Sequence, residues 1–168
     1  MLALESRPIL QGDGHVAGRA LLKTMYEALT GQNLPPIVLT PRGKPYFSCG
    51  HLHFSISHTK HHVFCALSDR PIGIDAEEKS RTISPALAEK ILSPSEMTQY
   101  AAASDKPAAL LTFWVLKEAQ AKCTGEGLRF YPNHTAFSLS DSRVLHRDGC
   151  ILAIIEETPA DTEVMYAF

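Results

Sequence analysis

Residues 72–77 read Ile72-Gly73-Ile74-Asp75-Ala76-Glu77, and this stretch decides the fold. Ile72, Ile74 and Ala76 alternate with Gly73, Asp75 and Glu77, which is the two-residue period of a strand. The same period runs upstream from Leu52, where Leu52, Phe54 and Ile56 alternate with His53, Ser55 and Ser57. After a polar turn at His58 to His61, Val63, Cys65 and Leu67 alternate again. Two such runs about a polar turn predict a hairpin, with 72–77 as a third strand.

Helical signals lie on both sides. Residues 13–30 carry Leu21, Leu22, Met25, Ala28 and Leu29 at helical spacing, and Gly31 stands where a C-terminal glycine cap belongs. Asn33 to Pro45 is proline-rich and reads as an irregular connector with a short strand, Ile37 to Leu39. Downstream, Ser84-Pro85 opens a short helix with Leu87 and Ile91 four apart, and Ser93-Pro94-Ser95-Glu96 repeats the device with a capping-box glutamate. Pro107 starts the longest helix, Ala108 to Cys123, closed by Gly125. Beyond Gly127, the segments Phe137–Leu139, Val144–His146, Cys150–Ile155 and Val164–Phe168 read as an antiparallel meander. Helix, strands, helices, strands is the order of an α+β protein, not of a doubly wound sheet.

The chain of 168 residues is long enough for one domain or two small fused halves. Its 45% apolar and 20% charged residues are those of a globular protein. Sixteen Lys and Arg against eighteen Asp and Glu give a net charge of −2, which argues against a dedicated nucleic-acid binder. The longest apolar run, Cys150 to Ile155, is too short to cross a membrane, and Glu5 and Arg7 stand where a secretory signal needs an apolar core. Four cysteines without a Cys-x-x-Cys pair point to a reduced, cytoplasmic protein.

Several clusters could carry chemistry. Asp75 and Glu77 leave one face of their strand, with Gly73 expected to give that face open backbone room. Two readings stand: a solvated polar face, or two rigidly held carboxylates for Mg²⁺. On the long helix, Trp114, Lys117, Glu118, Ala121 and Lys122 fall within an arc of about 140°. Here too two readings stand, a surface Glu118–Lys122 pair or a phosphate site beside a metal ligand. Five histidines between His51 and His62 lack any zinc-cage spacing. Ser57 and His58 are adjacent strand residues and point apart, so they suit phosphate hydrogen bonding better than a nucleophile–base couple.

In register, these pieces resemble the phosphopantetheinyl transferases of the Sfp type. Gly43-Lys44-Pro45 resembles that family's Gly-Lys-Pro, and Phe54-Ser55-Ile56-Ser57-His58-Thr59 its Phe-Asn-x-Ser-His-Ser. Gly73-Ile74-Asp75-Ala76-Glu77 is similar to its Gly-Ile-Asp-Ile-Glu. Trp114-Val115-Leu116-Lys117-Glu118-Ala119, followed by Lys122, Gly125 and Gly127, resembles its Trp-x-x-Lys-Glu-Ala-x-x-Lys-x-x-Gly-x-Gly. Ser55, Ala76 and Gln120 depart from the pattern; none is an expected phosphate or metal contact, so the chemistry is expected to survive them.

The resemblance implies a fold of two similar α+β halves forming a pseudo-dimer, residues 1–68 with the Gly-Lys-Pro and Ser-His motifs and 69–168 with the rest. It implies transfer of the 4′-phosphopantetheine arm of coenzyme A to a serine of an apo acyl, polyketide or peptidyl carrier protein, releasing adenosine 3′,5′-bisphosphate. By position, Asp75, Glu77 and Glu118 would hold Mg²⁺, and Lys117 and Lys122 would neutralise the phosphate oxygens. Lys44, Ser57 and His58 would hold the nucleotide phosphates, and Glu118 or water would take the serine proton. A monomer without nucleic-acid or membrane partners is expected. With 43 residues before Lys44, a family segment rich in basic residues is expected to be mostly absent, leaving His15 and Arg19 as substitutes. Lys79, Arg81 and Lys90, with Leu87, Ile91 and Leu92 as an apolar anchor, are expected to meet an acidic carrier. The rival reading is a non-catalytic module on the same fold that binds coenzyme A or a carrier.

Overall fold

The protein is described from a computed structural model covering residues 1–10, 12–127 and 135–157. The strand β1 (Ala3–Pro8) leads into helix α1 (Gly14–Thr30), which Asp13 caps by accepting the His15 N–H and Gly31 closes. A two-stranded ribbon follows, β2 (Ile37–Leu39) with β3 (Pro45–Phe47). Then come β4 (His53–His58), β5 (His62–Ser68) and β6 (Ile72–Glu78). A 3₁₀ turn at Pro85–Leu87 opens α2 (Ala88–Ile91), and α3 (Pro94–Ala102) and α4 (Lys106–Thr124) lead to the hairpin β7 (Val144–Arg147) and β8 (Cys150–Glu156).

The other six described strands form two antiparallel three-stranded sheets, ordered β1-β5-β4 and β6-β8-β7. In each, the last strand of the set lies between the first and the penultimate one. Alternation then builds four layers. Val63, Cys65 and Leu67 of β5 turn to Leu21, Leu22 and Met25 of α1. Phe64 and Ala66, on the opposite face, meet Ile72, Ile74, Ala76, Cys150 and Leu152 of the second sheet. Ile151, Ala153 and Ile155 face Leu110, Phe113, Leu116 and Ala119 of α4. The order is helix, sheet, sheet, helix. The expected α+β class is what the structure shows.

The two sheets meet along a seam between edge strands β4 and β6. The Ser55 hydroxyl accepts the Ile74 N–H at 3.0 Å and the Ser57 hydroxyl the Ala76 N–H at 3.1 Å. Side chains thus satisfy two edge amides that no strand pairs, as buried backbone donors require. Ser55, expected to be neutral, is part of this seam.

Other sequence expectations need correction. Gly73 does not open its face: a Cβ there would stand 2.0 Å from Ala119 O and 2.4 Å from Cys123 N, so α4 lies directly on β6. Only glycine permits that approach. Phe137 to Leu139 is not a strand; Glu96 Oε1 accepts the Phe137 N–H, Gln99 Oε1 accepts the Leu139 N–H, and Gln99 Nε2 donates to Phe137 O. The α3 side chains thus imitate a neighbouring strand. Strands β1 and β3 escaped the sequence reading. β1 is an exposed edge strand paired with β5 and lacks an apolar alternation, and β3 has only three residues. Ile91 and Leu92 are core residues, 3% and 6% exposed, and cannot anchor a partner. The expected strand Val164 to Phe168 lies outside the described residues. Among those described, no helix is long and apolar enough to cross a membrane.

Candidate active site

A cleft of about 520 Å³ opens at the seam. Its floor is the β4 and β6 edges, with Ser57 and His58 on one side and Asp75 and Glu77 on the other. Glu118, Ala121 and Lys122 of α4 overhang it, His15 and Arg19 of α1 close the far end, and Arg42 to Pro45 form the rim ahead of β3. The helix register explains the overhang: residues 118, 121 and 122 share one side of α4, over the glycine that lets the helix touch β6.

Asp75 is the most buried of the three carboxylates, its side chain 8% exposed. Its Oδ1 accepts from Lys122 Nζ at 2.7 Å and from the Ser57 hydroxyl at 3.1 Å. Lys122 also donates to Ser57 at 3.2 Å, which closes a small network across the seam. Burial pushes the Asp75 carboxyl above the usual carboxylate range; Lys122 pulls it back and the Glu77 charge adds to the push. Burial also raises Glu118, and the Asp75 charge raises it further. Glu77 Oε1 is bonded by Arg81 Nη1 and by Trp114 Nε1, the latter at 3.2 Å.

Among the described residues, no three metal-ligating side chains converge as a preformed cage, because Glu77 is turned to Arg81 and Asp75 to Lys122. Asp75 Oδ2 is nevertheless a buried oxygen with no hydrogen-bond donor, in a cleft that Glu77 and Glu118 also line. An orphaned, desolvated carboxylate oxygen with two more carboxylates in the same cleft is the donor chemistry of a hard divalent cation such as Mg²⁺. The residues fit that ion.

The cleft is otherwise cationic. Lys44 Nζ donates to the Cys123 carbonyl near the C-terminus of α4, and burial draws its pKa below the ordinary lysine value against the pull of Cys123 and Glu157. Gly125, at φ 74°, ends the helix beneath the Lys44 stem; a Cβ would stand 2.9 Å from Lys44 Cδ. His58 stacks edge-on against His15, with ring centroids 4.8 Å apart. Of the expected site residues, Lys44, Ser57, His58, Asp75, Glu77, Glu118 and Lys122 line one cleft.

Lys117 does not join them. Its Nζ lies 2.8 Å from Glu96 Oε2, donates to Thr135 O at 2.9 Å and stands over the Phe137 ring. Within the expected arc Lys117 and Lys122 are the two rims, about 140° apart, and such an arc straddles two neighbours. The sequence reading missed Arg42, which adjoins Gly43-Lys44 and pairs with Glu126 at 3.6 Å. It also assigned Arg81 to a docking patch, although the four-residue spacing from Glu77 was there to read.

Comparison with known proteins places the chain in a family. The family model described as the 4′-phosphopantetheinyl transferase superfamily matches residues 71–160, more than half of the chain, and the protein belongs to that superfamily. It is similar to the 4′-phosphopantetheinyl transferase gsp of Aneurinibacillus migulanus, 34% identical over 88 residues, 51% of this chain and 36% of the relative. The 4′-phosphopantetheinyl transferase Sfp of Bacillus subtilis strain 168 is 37% identical over 100 residues, 58% of this chain and 41% of its own length. A further Bacillus subtilis 4′-phosphopantetheinyl transferase is 36% identical over 90 residues, covering 51% and 39%. The chain thus spans about two fifths of the length of these relatives.

Proposed function

We propose that the protein transfers the 4′-phosphopantetheine arm of coenzyme A to a serine hydroxyl of an apo carrier protein, of the acyl, polyketide or peptidyl kind, and releases adenosine 3′,5′-bisphosphate. The observation that supports this best is the meeting, in one cleft, of three carboxylates with Lys44, Lys122, Ser57 and His58. A pyrophosphate ester needs both a cation site and cationic side chains around it. The equivalent strand orders β1-β5-β4 and β6-β8-β7 support a division into two similar halves, 1–68 and 69–168, with the cleft between them as in a pseudo-dimer. Both walls come from one chain, which suits a monomer. All four cysteines are free, which suits the cytoplasm.

Chemically, the serine oxygen bonds to the phosphorus that carries pantetheine, and the bridging pyrophosphate bond breaks. The electron pair leaves on the 5′-phosphate of the nucleotide. Lys44 and His58 grip the nucleotide phosphates, and Lys122 meets the charge on the transferring group. Glu118, which overhangs the cleft, or water would take the serine proton. Held by Asp75, Glu77 and Glu118, Mg²⁺ would supply positive charge to the pyrophosphate oxygens.

The test is incubation with coenzyme A, Mg²⁺ and a panel of apo carriers, read as a mass gain on the carrier. Asp75→Asn, which keeps the local hydrogen bonds and removes the charge, should abolish the gain without loss of fold. Binding of coenzyme A with no mass gain on any carrier would instead favour a non-catalytic module.

A further inference from the structure

Glu77 is already neutralised by the protein itself. It lies near the end of β6, and Arg81, four residues on, folds back so that Nη1 bonds Glu77 Oε1. Trp114 Nε1 of α4 donates to the same oxygen. The guanidinium carbon sits 5.7 Å from the centroid of that indole. Carboxylate, guanidinium and indole therefore close a triangle that joins β6, the loop after it and α4. Arg81 is 46% exposed and Glu77 13%, so the guanidinium can leave towards water while the carboxylate stays in place. Arg81 belongs to the cleft lining.

We propose that Arg81 is an internal counter-ion that competes with the divalent cation for Glu77. The proposal rests on the reading above to the extent that it puts a cation on Asp75, Glu77 and Glu118. With Arg81 engaged, Glu77 Oε1 faces two donors and a full positive charge, so a cation reaches that oxygen only once the guanidinium swings away. Arg81 thereby lowers the intrinsic cation affinity of the cleft, which explains how three carboxylates share it without forming a cage. Cation–π contact lets the released guanidinium remain against Trp114 rather than be lost to solvent.

The experiment measures Mn²⁺ binding to the intact chain without coenzyme A, by the resonance signal of free Mn²⁺. Arg81→Ala and Arg81→Gln should bind Mn²⁺ about tenfold more tightly than the parent, the scale of one charge-assisted hydrogen bond. Arg81→Lys should fall between. Arg19→Ala removes a charge from the same cleft without touching Glu77, and should change affinity less than about twofold if contact rather than net charge decides. Trp114 is the one tryptophan, so its fluorescence reports directly. Mg²⁺ should shift the emission of the parent and leave that of Arg81→Ala nearly unmoved.

Equal or weaker Mn²⁺ binding by both Arg81→Ala and Arg81→Gln would overturn the proposal while leaving the transferase reading intact. Equal tightening by Arg19→Ala would reduce Arg81 to one charge among several and would also overturn it. If neither parent nor variants bind Mn²⁺ saturably, the cation assignment itself fails, and the proposal with it.

Discussion

Lys117 Nζ stands 2.8 Å from Glu96 Oε2, and both side chains are sealed from water, 2% and 0% exposed. Glu96 also accepts the Ser93 N–H at 2.7 Å as the capping-box partner of α3, and the Phe137 N–H at 2.9 Å. One ion pair therefore ties α3, α4 and the segment before β7 together. Burial draws the Lys117 pKa down, and Glu96 opposes that. Lys117→Met should cost about 3–5 kcal/mol because it leaves Glu96 buried and charged without its cation. The double variant with Glu96→Gln should recover much of that loss. Urea unfolding measures both. A Lys117→Met protein of parental stability with a raised KM for coenzyme A would return this lysine to the phosphate.

Ser55 holds the seam rather than a ligand. Ser55→Ala leaves the buried Ile74 N–H without an acceptor, at a cost of about 1–3 kcal/mol. The effect should be local. Amide exchange at Ile74 should accelerate more than at Leu22, which sits in the separate α1 layer. Uniform acceleration at both positions would count against a seam role.

Gly73 sets the height of α4 above β6. Gly73→Ala would drive a methyl into the backbone at Ala119 and Cys123, atoms that cannot rotate aside. The loss should reach about 3 kcal/mol or more, the upper end for overpacking. Any folded remainder should bind Mn²⁺ more weakly, since a lifted α4 carries Glu118 away from Asp75. Unfolding within about 1 kcal/mol of the parent would show that the helix gives way easily.

If Lys44 grips a nucleotide phosphate as proposed, anion binding should be sensitive to alkali. Burial lowers its pKa, so it gives up its proton at a lower pH than the ordinary 10.5. The attraction for a phosphate exists below the lowered pKa and is lost as pH rises through it. Titration with adenosine 3′,5′-bisphosphate, which has no thiol of its own, should show affinity falling as pH rises, with the fall beginning below the ordinary lysine range. Lys44→Arg should remove that fall, because a guanidinium stays charged throughout. A flat profile for the parent would place the anion away from Lys44.

What could be read directly from the chain was whatever a few neighbouring residues encode. The period of β4, β5 and β6, the Ser93 capping box, and the glycine closures at Gly31 and Gly125 depend on contacts within one or two turns. The cluster of Lys44, Ser57, His58, Asp75, Glu77, Glu118 and Lys122 was legible because motifs carry it, although no local rule brings these residues to one cleft. Partner choice was decided only by the tertiary structure. Lys117 and Lys122 are alike in the sequence, yet one meets Glu96, twenty-one residues earlier, and the other meets Asp75 of β6. β1 carries no apolar period because it is an exposed edge strand paired only with β5. Phe137 to Leu139 has strand-like residues but no strand beside it among the described residues, and α3 side chains take its backbone bonds instead. Periodicity and caps act within a segment; which buried charge finds which partner is settled by desolvation once distant segments pack together.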